Sequence, residues 1–193
     1  MKKIGITGGI GSGKSIVCQV FQTLGCKIYS ADESAKKLID SNSEIKKAVI
    51  HSFGEDIFKL GRLDRKLMAG IVFNNPEALE KLNAIIHPFV FEDFNQWVES
   101  NKNEPYIIKE AAIMFETGAN KLMDSVVLVH SPMEIRLKRV IERDRVDKEA
   151  VMARIENQMT DEEKMKLSDF IIYNDEEHSL IKQVLTLDIL FKR

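Results

Sequence analysis

The sequence predicts an α/β fold built on a five-stranded parallel sheet. Its opening contains a short apolar strand at 3–7, a glycine-rich turn, a helix at 14–24 and a second buried strand at 26–29. This order is typical of a parallel sheet, because parallel neighbours need a helical crossover between them. Three further apolar runs, each within helical sequence, complete the predicted sheet: 106–109, 126–130 and 170–173.

The bulk properties are those of an ordinary globular chain. Of its 193 residues, 44% are hydrophobic and 30% are charged, and the formal net charge is −2. A chain of this length can bury a core without disulfides, and this charge provides no basic field that would hold nucleic acid. We therefore expect no nucleic-acid partner.

Cysteine usage and hydropathy favour a cytoplasmic protein. Cys18 and Cys26 lack the C-x-x-C spacing of zinc or redox sites, which favours buried free thiols in a reducing compartment. The apolar stretch at the N-terminus is too short for a signal peptide, and no run approaches the ~20 apolar residues of a membrane span. The sequence therefore predicts a soluble, cytoplasmic protein with no membrane partner.

A long helical insertion is predicted between the second and third strands. Residues 34–101 contain helical patterns and no convincing strand. Asp64 and Asn75 are suited to cap two of these helices. The pair His87-Pro88 is expected to break a helix, because proline restricts the residue before it.

A second insertion, at 134–164, follows the fourth strand. Capping-box patterns begin at Ser131, with a proline at the first helical position, and at Thr160. The resulting division has a discontinuous core at 1–33, 102–133 and 165–193, the helical insertion at 34–101 and the second insertion at 134–164.

Residues 8–15 read G-G-I-G-S-G-K-S and match the phosphate-loop pattern G-x-x-x-x-G-K-[ST]. Glycines allow consecutive backbone N–H groups to turn towards a phosphate, and the following helix presents its positive end to the same anion. Lys14 is expected to reach the β- and γ-phosphates, and the Ser15 hydroxyl to bind Mg²⁺. The residues expected to contact ATP are Gly11, Ser12, Gly13, Lys14, Ser15 and Ile16.

Asp32 is the first candidate for a residue that acts on the hydroxyl group to which a phosphoryl group is transferred. It follows the second strand at the carboxyl edge of the predicted sheet, where ligands of open α/β sheets bind. Ser30 and Glu33 can cap the helix that begins there. Asp32 could accept the proton of an attacking hydroxyl, or its charge could simply favour the helix N-terminus; position alone leaves both open.

Arginines are concentrated in the second insertion. Five of the eight arginines lie between positions 136 and 154, and Arg136, Arg139 and Arg143 share one helix face. Phosphoryl transfer needs positive groups on the transferred phosphate while water is excluded, which a mobile arginine-bearing lid would provide. A surface helix laced with salt bridges remains the alternative, because Glu134, Glu142 and Asp144 lie nearby.

The chain resembles the dephospho-coenzyme A kinase family almost from end to end. The order and spacing of the motifs carry the resemblance more than any single motif. Four positions depart from it: Ser30 stands where the family usually has an aspartate, Ala112 replaces a proline, and Ile113 and Met114 replace leucines. The matching segments are 6–15, 29–32, 64–73, 82–88, 115–116, 137–158 and 168–174.

This resemblance implies a P-loop NTPase fold of the nucleotide-kinase type, with a helical substrate-binding insertion and a lid. It implies an ATP-dependent phosphotransferase that uses ATP and Mg²⁺ and phosphorylates the ribose 3′-hydroxyl of dephospho-coenzyme A. Asp32, Lys14, Arg139 and Arg143 would be the catalytic residues, and Asn174 would flank the adenine. The residues implied to contact the acceptor are Asp32, Arg65, His87 and Glu116.

Two other functions remain possible from the sequence. One is a nucleoside or nucleoside-monophosphate kinase of the same architecture, which would share the phosphate loop and the lid. The other is a nucleotide-dependent switch with slow hydrolysis, which would need no acceptor pocket. Oligomeric state is not predicted from the sequence.

Overall fold

The computed structural model describes residues 1–72 and 75–193. They form two compact units, the sheet unit (1–30 and 101–193) and the helical unit (31–100). Phe73, which closes one of the matching segments above, lies outside the described residues. The strands are β1 (Lys2–Thr7), β2 (Lys27–Ser30), β3 (Phe58–Lys59), β4 (Arg62–Leu63), β5 (Tyr106–Glu110), β6 (Ser125–His130) and β7 (Phe170–Tyr173).

Helices account for most of the remaining described residues. No helix among residues 1–72 and 75–193 is long and apolar enough to cross a membrane. The α-helices are α1 (Lys14–Thr23), α2 (Ala31–Ser41), α3 (Ser43–Phe53), α4 (Arg65–Val72), α5 (Pro76–Ser100), α6 (Met133–Asp144), α7 (Lys148–Glu156), α8 (Asp161–Leu167) and α9 (Leu180–Phe191).

The sheet unit contains the five-stranded parallel sheet that the sequence predicts. Its strand order is β2-β5-β1-β6-β7, and every neighbouring pair is parallel. The strand leading into the phosphate loop is therefore central. The apolar strands are buried as expected for a sheet covered on both faces. The core cluster includes Ile4, Ile6, Val17, Phe21, Tyr106, Ile108, Val127, Val129, Ile172, Val184 and Phe191.

The helical unit contains one long helix where the sequence predicts a break. Helix α5 continues through Pro88, so the predicted break at His87-Pro88 is wrong. Proline removes one backbone N–H and crowds the carbonyl four residues earlier. Pro88 and Ala84 are both exposed, so water can bind the carbonyl that loses its partner. Buried side chains at spacings of four keep the helix packed on both sides of Pro88: Leu82, Ile86, Val90 and Phe94.

A short hairpin also lies in the helical unit, although the sequence indicates no strand there. Strands β3 and β4 pair antiparallel around Leu60 and Gly61, whose φ angles are 50° and 80°. Positive φ at both central residues defines the tight turn that favours Asn-Gly or Asp-Gly. Leu60 occupies the first of these positions in place of Asn or Asp, so the sequence lacks the residue pair that indicates a hairpin. Strands β3 and β4 are therefore not predicted from the sequence.

The helix caps agree in part with the sequence. Asp64 and Asn75 accept bonds from Leu67 N (3.0 Å) and Ala78 N (3.1 Å), and Thr160 forms its capping box. The cap predicted at Ser131 is wrong, because Pro132 is the N-cap residue of α6. The cap predicted at Ser30 stays a prediction; the Ser30 hydroxyl donates to Glu110 Oε2 at 2.9 Å.

Candidate active site

The phosphate loop connects the central strand β1 to the N-terminus of α1. Lys14 is buried, and its Nζ donates to the carbonyls of Gly8 (2.7 Å) and Gly9 (3.2 Å). The ammonium group is therefore held over the loop, where it can meet a phosphate together with the positive end of α1.

Two features of the loop are suited to anion binding. Gly13 has φ 92°, and a Cβ there would collide with the side-chain amide of Asn174, so both conformation and space favour glycine. Ser12 is 1% exposed, and its hydroxyl has no hydrogen-bond partner within the described residues. Buried hydroxyls are normally paired, so this one is a donor that a bound phosphate could satisfy.

Asn174 lies against the phosphate loop, as the predicted ATP contact requires. Its Nδ2 donates to Ser12 O at 2.8 Å, and its own backbone N–H donates to His130 O at 2.8 Å. Ser15 and Ile16 follow on the first turn of α1, both exposed. These positions leave the Ser15 hydroxyl and the apolar Ile16 side chain accessible to a nucleotide.

Glu110 is a carboxylate at the site that the sequence reasoning did not select. It ends β5, the neighbour of β1, and lies in register with Ile6 and Ser30. The charges of Glu110 and Lys14 both act on the buried Cys18 thiol, whose pKa is raised mainly by burial. A carboxylate at the end of the strand beside the phosphate-loop strand is a recognisable signal for a metal-linked acid in this class of site.

Arg139 and Arg143 occupy different environments on α6. Arg139 NH1 donates to Ser131 Oγ and Asn174 O, both at 3.3 Å, which places its guanidinium beside the phosphate loop. Arg143 instead forms two bonds to Asp144, at 2.7 and 3.2 Å, and Asp144 also binds Arg154 at 2.8 Å. Its bonds to Arg143 lower the pKa of Asp144.

Arg136 differs from both, although it shares their helix face. Its residue is 2% exposed, and its Nε donates to Ile10 O at 2.9 Å. Its NH1 forms an ion pair with Asp161 Oδ2 at 2.6 Å. A Cβ on Gly9 would collide with this guanidinium, so a glycine is needed where the arginine crosses the loop. Arg136 is therefore bonded to the backbone of the loop and stabilises its conformation.

Glu116 lies downstream of β5 and contacts the second insertion, the segment at 134–164 that is predicted to form a lid. Its Oε1 accepts from Met159 N at 2.9 Å and pairs with the fully buried Lys164, also at 2.9 Å. Lys164 Nζ further donates to Ala112 O at 3.2 Å. The carbonyl at position 112, where the family usually has proline, is thus used by the lid.

The helical unit carries the remaining candidates. Asp32 is exposed in the first turn of α2. Arg65 NH2 binds Asp40 Oδ2 at 2.8 Å and Lys36 O at 3.3 Å. His87 is half-buried on α5. Within this unit the side chains of Ser34 and Asp93 are hydrogen-bonded, which links α2 to α5.

Lys109 is an unusual charge in the sheet unit. It lies on β5 and is 5% exposed, and burial lowers its pKa from 10.5 to about 8. A buried ammonium group destabilises the fold unless it loses its proton. Sequence reasoning cannot find this feature, because it depends on how completely the strand is covered.

We expect the free energy of unfolding of the wild type to rise relative to that of Lys109→Met by up to about 3 kcal/mol between pH 7 and pH 10.5. The unfolded chain binds a proton at Lys109 up to about pH 10.5, whereas the folded chain loses it near pH 8. The free energy of unfolding of the wild type therefore rises between about pH 8 and pH 10.5, whereas that of Lys109→Met has no such contribution from position 109. Urea unfolding at pH 7, 9 and 10.5 measures the difference; a constant gap would contradict the assignment.

The five-stranded parallel sheet and the phosphate loop together define the P-loop nucleotide-kinase fold. A shikimate kinase from Bacteroides thetaiotaomicron shares this fold, with a TM-score of 0.54, 12% identity and coverage of 100% of this chain and 99% of that one. The family model described as Dephospho-CoA kinase matches residues 2–179, and the chain belongs to this family.

Individual relatives agree with the family assignment. A dephospho-CoA kinase of Bacteroides fragilis is 40% identical over 185 residues, covering 96% of this chain and 90% of the relative. The crystal structure of a Thermus thermophilus protein gives a TM-score of 0.86 at 31% identity, covering 98% and 96%. A dephospho-CoA kinase from Campylobacter jejuni gives 0.69 at 32% identity, covering 97% and 95%.

Proposed function

We propose that this chain transfers the γ-phosphoryl group of ATP to the ribose 3′-hydroxyl of dephospho-coenzyme A, giving coenzyme A and ADP. The observation that carries the proposal is Lys14, buried at a phosphate loop whose Ser12 hydroxyl lacks a partner within the described residues. Membership of the dephospho-CoA kinase family supports the identity of the acceptor.

ATP would bind with its phosphates in the loop formed by Gly11, Ser12, Gly13, Lys14 and Ser15. Lys14 would leave the loop carbonyls to contact the β- and γ-phosphates. Arg139 and Asn174 lie beside Gly13, which supports their contact with the nucleotide. Ile16, exposed on α1, would pack against the nucleotide.

Mg²⁺ fits the oxygen donors present at this edge of the sheet. Ser15 Oγ is the proposed protein ligand, and Glu110 would accept hydrogen bonds from water on the ion. When bound, Mg²⁺ would neutralise charge on the β- and γ-phosphates. Among residues 1–72 and 75–193 no cluster of three metal-binding side chains is found.

The acceptor is assigned to the helical unit. Asp32 would accept or orient the 3′-hydroxyl proton, and Arg65 and His87 would contact dephospho-coenzyme A. Glu116 would contribute through its second carboxylate oxygen, since its Oε1 holds Met159 N and Lys164. The ion pair of Arg65 with Asp40 would orient its guanidinium.

The lid at 134–164 would bring positive charge to the transferred phosphate. Arg139 is already beside the loop, whereas Arg143 would have to exchange Asp144 for phosphate oxygens.

We propose a cytoplasmic location, consistent with the buried free thiols of Cys18 and Cys26; burial raises the pKa of Cys26 to about 12.

An acceptor panel tests the proposed function. We expect ADP release with dephospho-coenzyme A to exceed release with AMP, CMP, uridine or shikimate by at least about 10³-fold in kcat/KM, because a buried polar site rejects acceptors that leave its groups unpaired. Activity confined to a nucleoside or nucleotide acceptor would favour the related kinases. Slow ADP release that no acceptor stimulates would favour a nucleotide switch.

A further inference from the structure

The peptide group of Ile10, at the tip of the phosphate loop, is held by two side chains. Ile10 N–H donates to Gln158 Oε1 at 3.0 Å, and Ile10 C=O accepts from Arg136 Nε at 2.9 Å. Both groups of one residue are therefore bound by partners that lie 148 and 126 positions away in the chain. The tip is held through backbone atoms, so the identity of its side chain does not matter for this contact.

The two partners are themselves connected. Arg136 pairs with Asp161 at 2.6 Å, and Asp161 lies three positions after Gln158 in the return segment, defined here as residues 157–161 between α7 and α8. The contacts form a closed ring through Ile10, Arg136, Asp161 and Gln158. Displacing Ile10 or Arg136 would break two of these bonds, so the ring resists movement of the loop tip.

The return segment also forms contacts that involve neither Ile10 nor Arg136. Met159 N donates to Glu116 Oε1, which pairs with the fully buried Lys164. Thr160 and Glu163 form the capping box that begins α8. Gln158 is therefore presented to the loop by a segment whose neighbouring residues are all engaged.

We propose that Gln158 is a positioning residue for the ATP phosphates, acting through Ile10. Ile10 directly precedes Gly11, the first of the loop residues proposed to contact the phosphates, so the orientation of its peptide affects the backbone that follows. Gln158 does not touch the nucleotide. This inference rests on the proposed function only in taking the bound anion to be a nucleotide phosphate.

Gln158→Met tests this proposal, because methionine has a similar volume and lacks the oxygen acceptor. We expect up to about tenfold weaker ADP binding by calorimetry, because the loop tip would adopt the binding conformation in only a fraction of the molecules, and the apparent affinity falls by that fraction. Asn157→Ala is the matched control, because the Asn157 Nδ2 bonds to Ala153 O, within the end of α7. We expect this control to bind ADP as the wild type does.

Amide hydrogen exchange provides a second readout that a general loss of stability would not reproduce. Ile10 N–H should exchange slowly in the wild type and in Asn157→Ala, and at least about tenfold faster in Gln158→Met. Exchange at Ile6 N–H, in the sheet core, should not change. The glutamate of Gln158→Glu has an acceptor oxygen at the same distance along the side chain. The Ile10 N–H should therefore still exchange slowly in this variant.

Either of two results would overturn the proposal. One is an Ile10 amide that exchanges in the wild type as fast as that of Leu60, which is fully exposed. The other is unchanged ADP affinity in Gln158→Met. Neither readout uses the acceptor, so a failure to phosphorylate dephospho-coenzyme A would leave this test intact.

Discussion

Lys14→Ala is expected to lower kcat/KM by at least about 10³-fold. The ammonium group is the buried cation of the phosphate loop, and alanine removes its charge at the position where the β- and γ-phosphates are proposed to bind. Groups that stabilise developing charge in a dry site contribute more than the same groups in water. Steady-state ADP release, measured with saturating dephospho-coenzyme A, gives the ratio.

The control for this variant is Lys182→Ala, which removes an exposed lysine from α9. It should retain wild-type turnover. The melting temperature of Lys14→Ala should also be compared with that of the wild type, because Lys14 bonds to two loop carbonyls. A folded Lys14→Ala protein with wild-type turnover would refute the assignment of the phosphate loop.

Asp32→Asn is expected to lower kcat by about 10² to 10⁴-fold and to change the KM for either substrate by less than about threefold. Asparagine keeps the shape and removes the base, so the loss should appear in the transition state and not in ground-state binding.

Glu33→Gln is the matched control for Asp32→Asn. Glu33 is the next residue on the same exposed turn, and it pairs with Lys36 at 2.6 Å. Both variants remove one negative charge near the N-terminus of α2. If Asp32 only favours the helix N-terminus, the two variants should behave alike, with a small loss of stability and unchanged kcat. That equality would leave the base unidentified.

Local patterns were sufficient to predict the sheet and the phosphate loop. The loop pattern is contiguous, and each buried strand is a short apolar run, so a few neighbouring residues specify each feature. The caps at Asp64, Asn75 and Thr160 belong to the same class, because a cap bonds within three residues of itself.

Features that depend on packing could not be predicted in this way. Helix α5 passes Pro88 because side chains on both sides of it are buried, which outweighs a local rule about proline. Ser131 lies one position too early to cap α6, and its hydroxyl serves Arg139. The turn at Leu60 lacks the residue types by which such turns are recognised.

The support around the loop was missed for a similar reason. Arg136 and Gln158 reach Ile10 from more than a hundred residues away, and a helix-face pattern alone cannot separate an arginine behind the loop from one that faces phosphate. Burial makes that distinction, since the side chain of Arg136 is 3% exposed and that of Arg143 is 62% exposed. The roles of Asp32, Arg65, His87 and Glu116 towards the acceptor remain predictions.

The position of the transferred phosphate tests the central claim most directly. The protein is incubated with ATP, Mg²⁺ and dephospho-coenzyme A, and the products are followed by ³¹P NMR and mass spectrometry. The proposed function predicts one new phosphomonoester per ADP formed, at the ribose 3′-position and identical to that of authentic coenzyme A. Inorganic phosphate beside unchanged dephospho-coenzyme A, or a phosphate at another position, would contradict it.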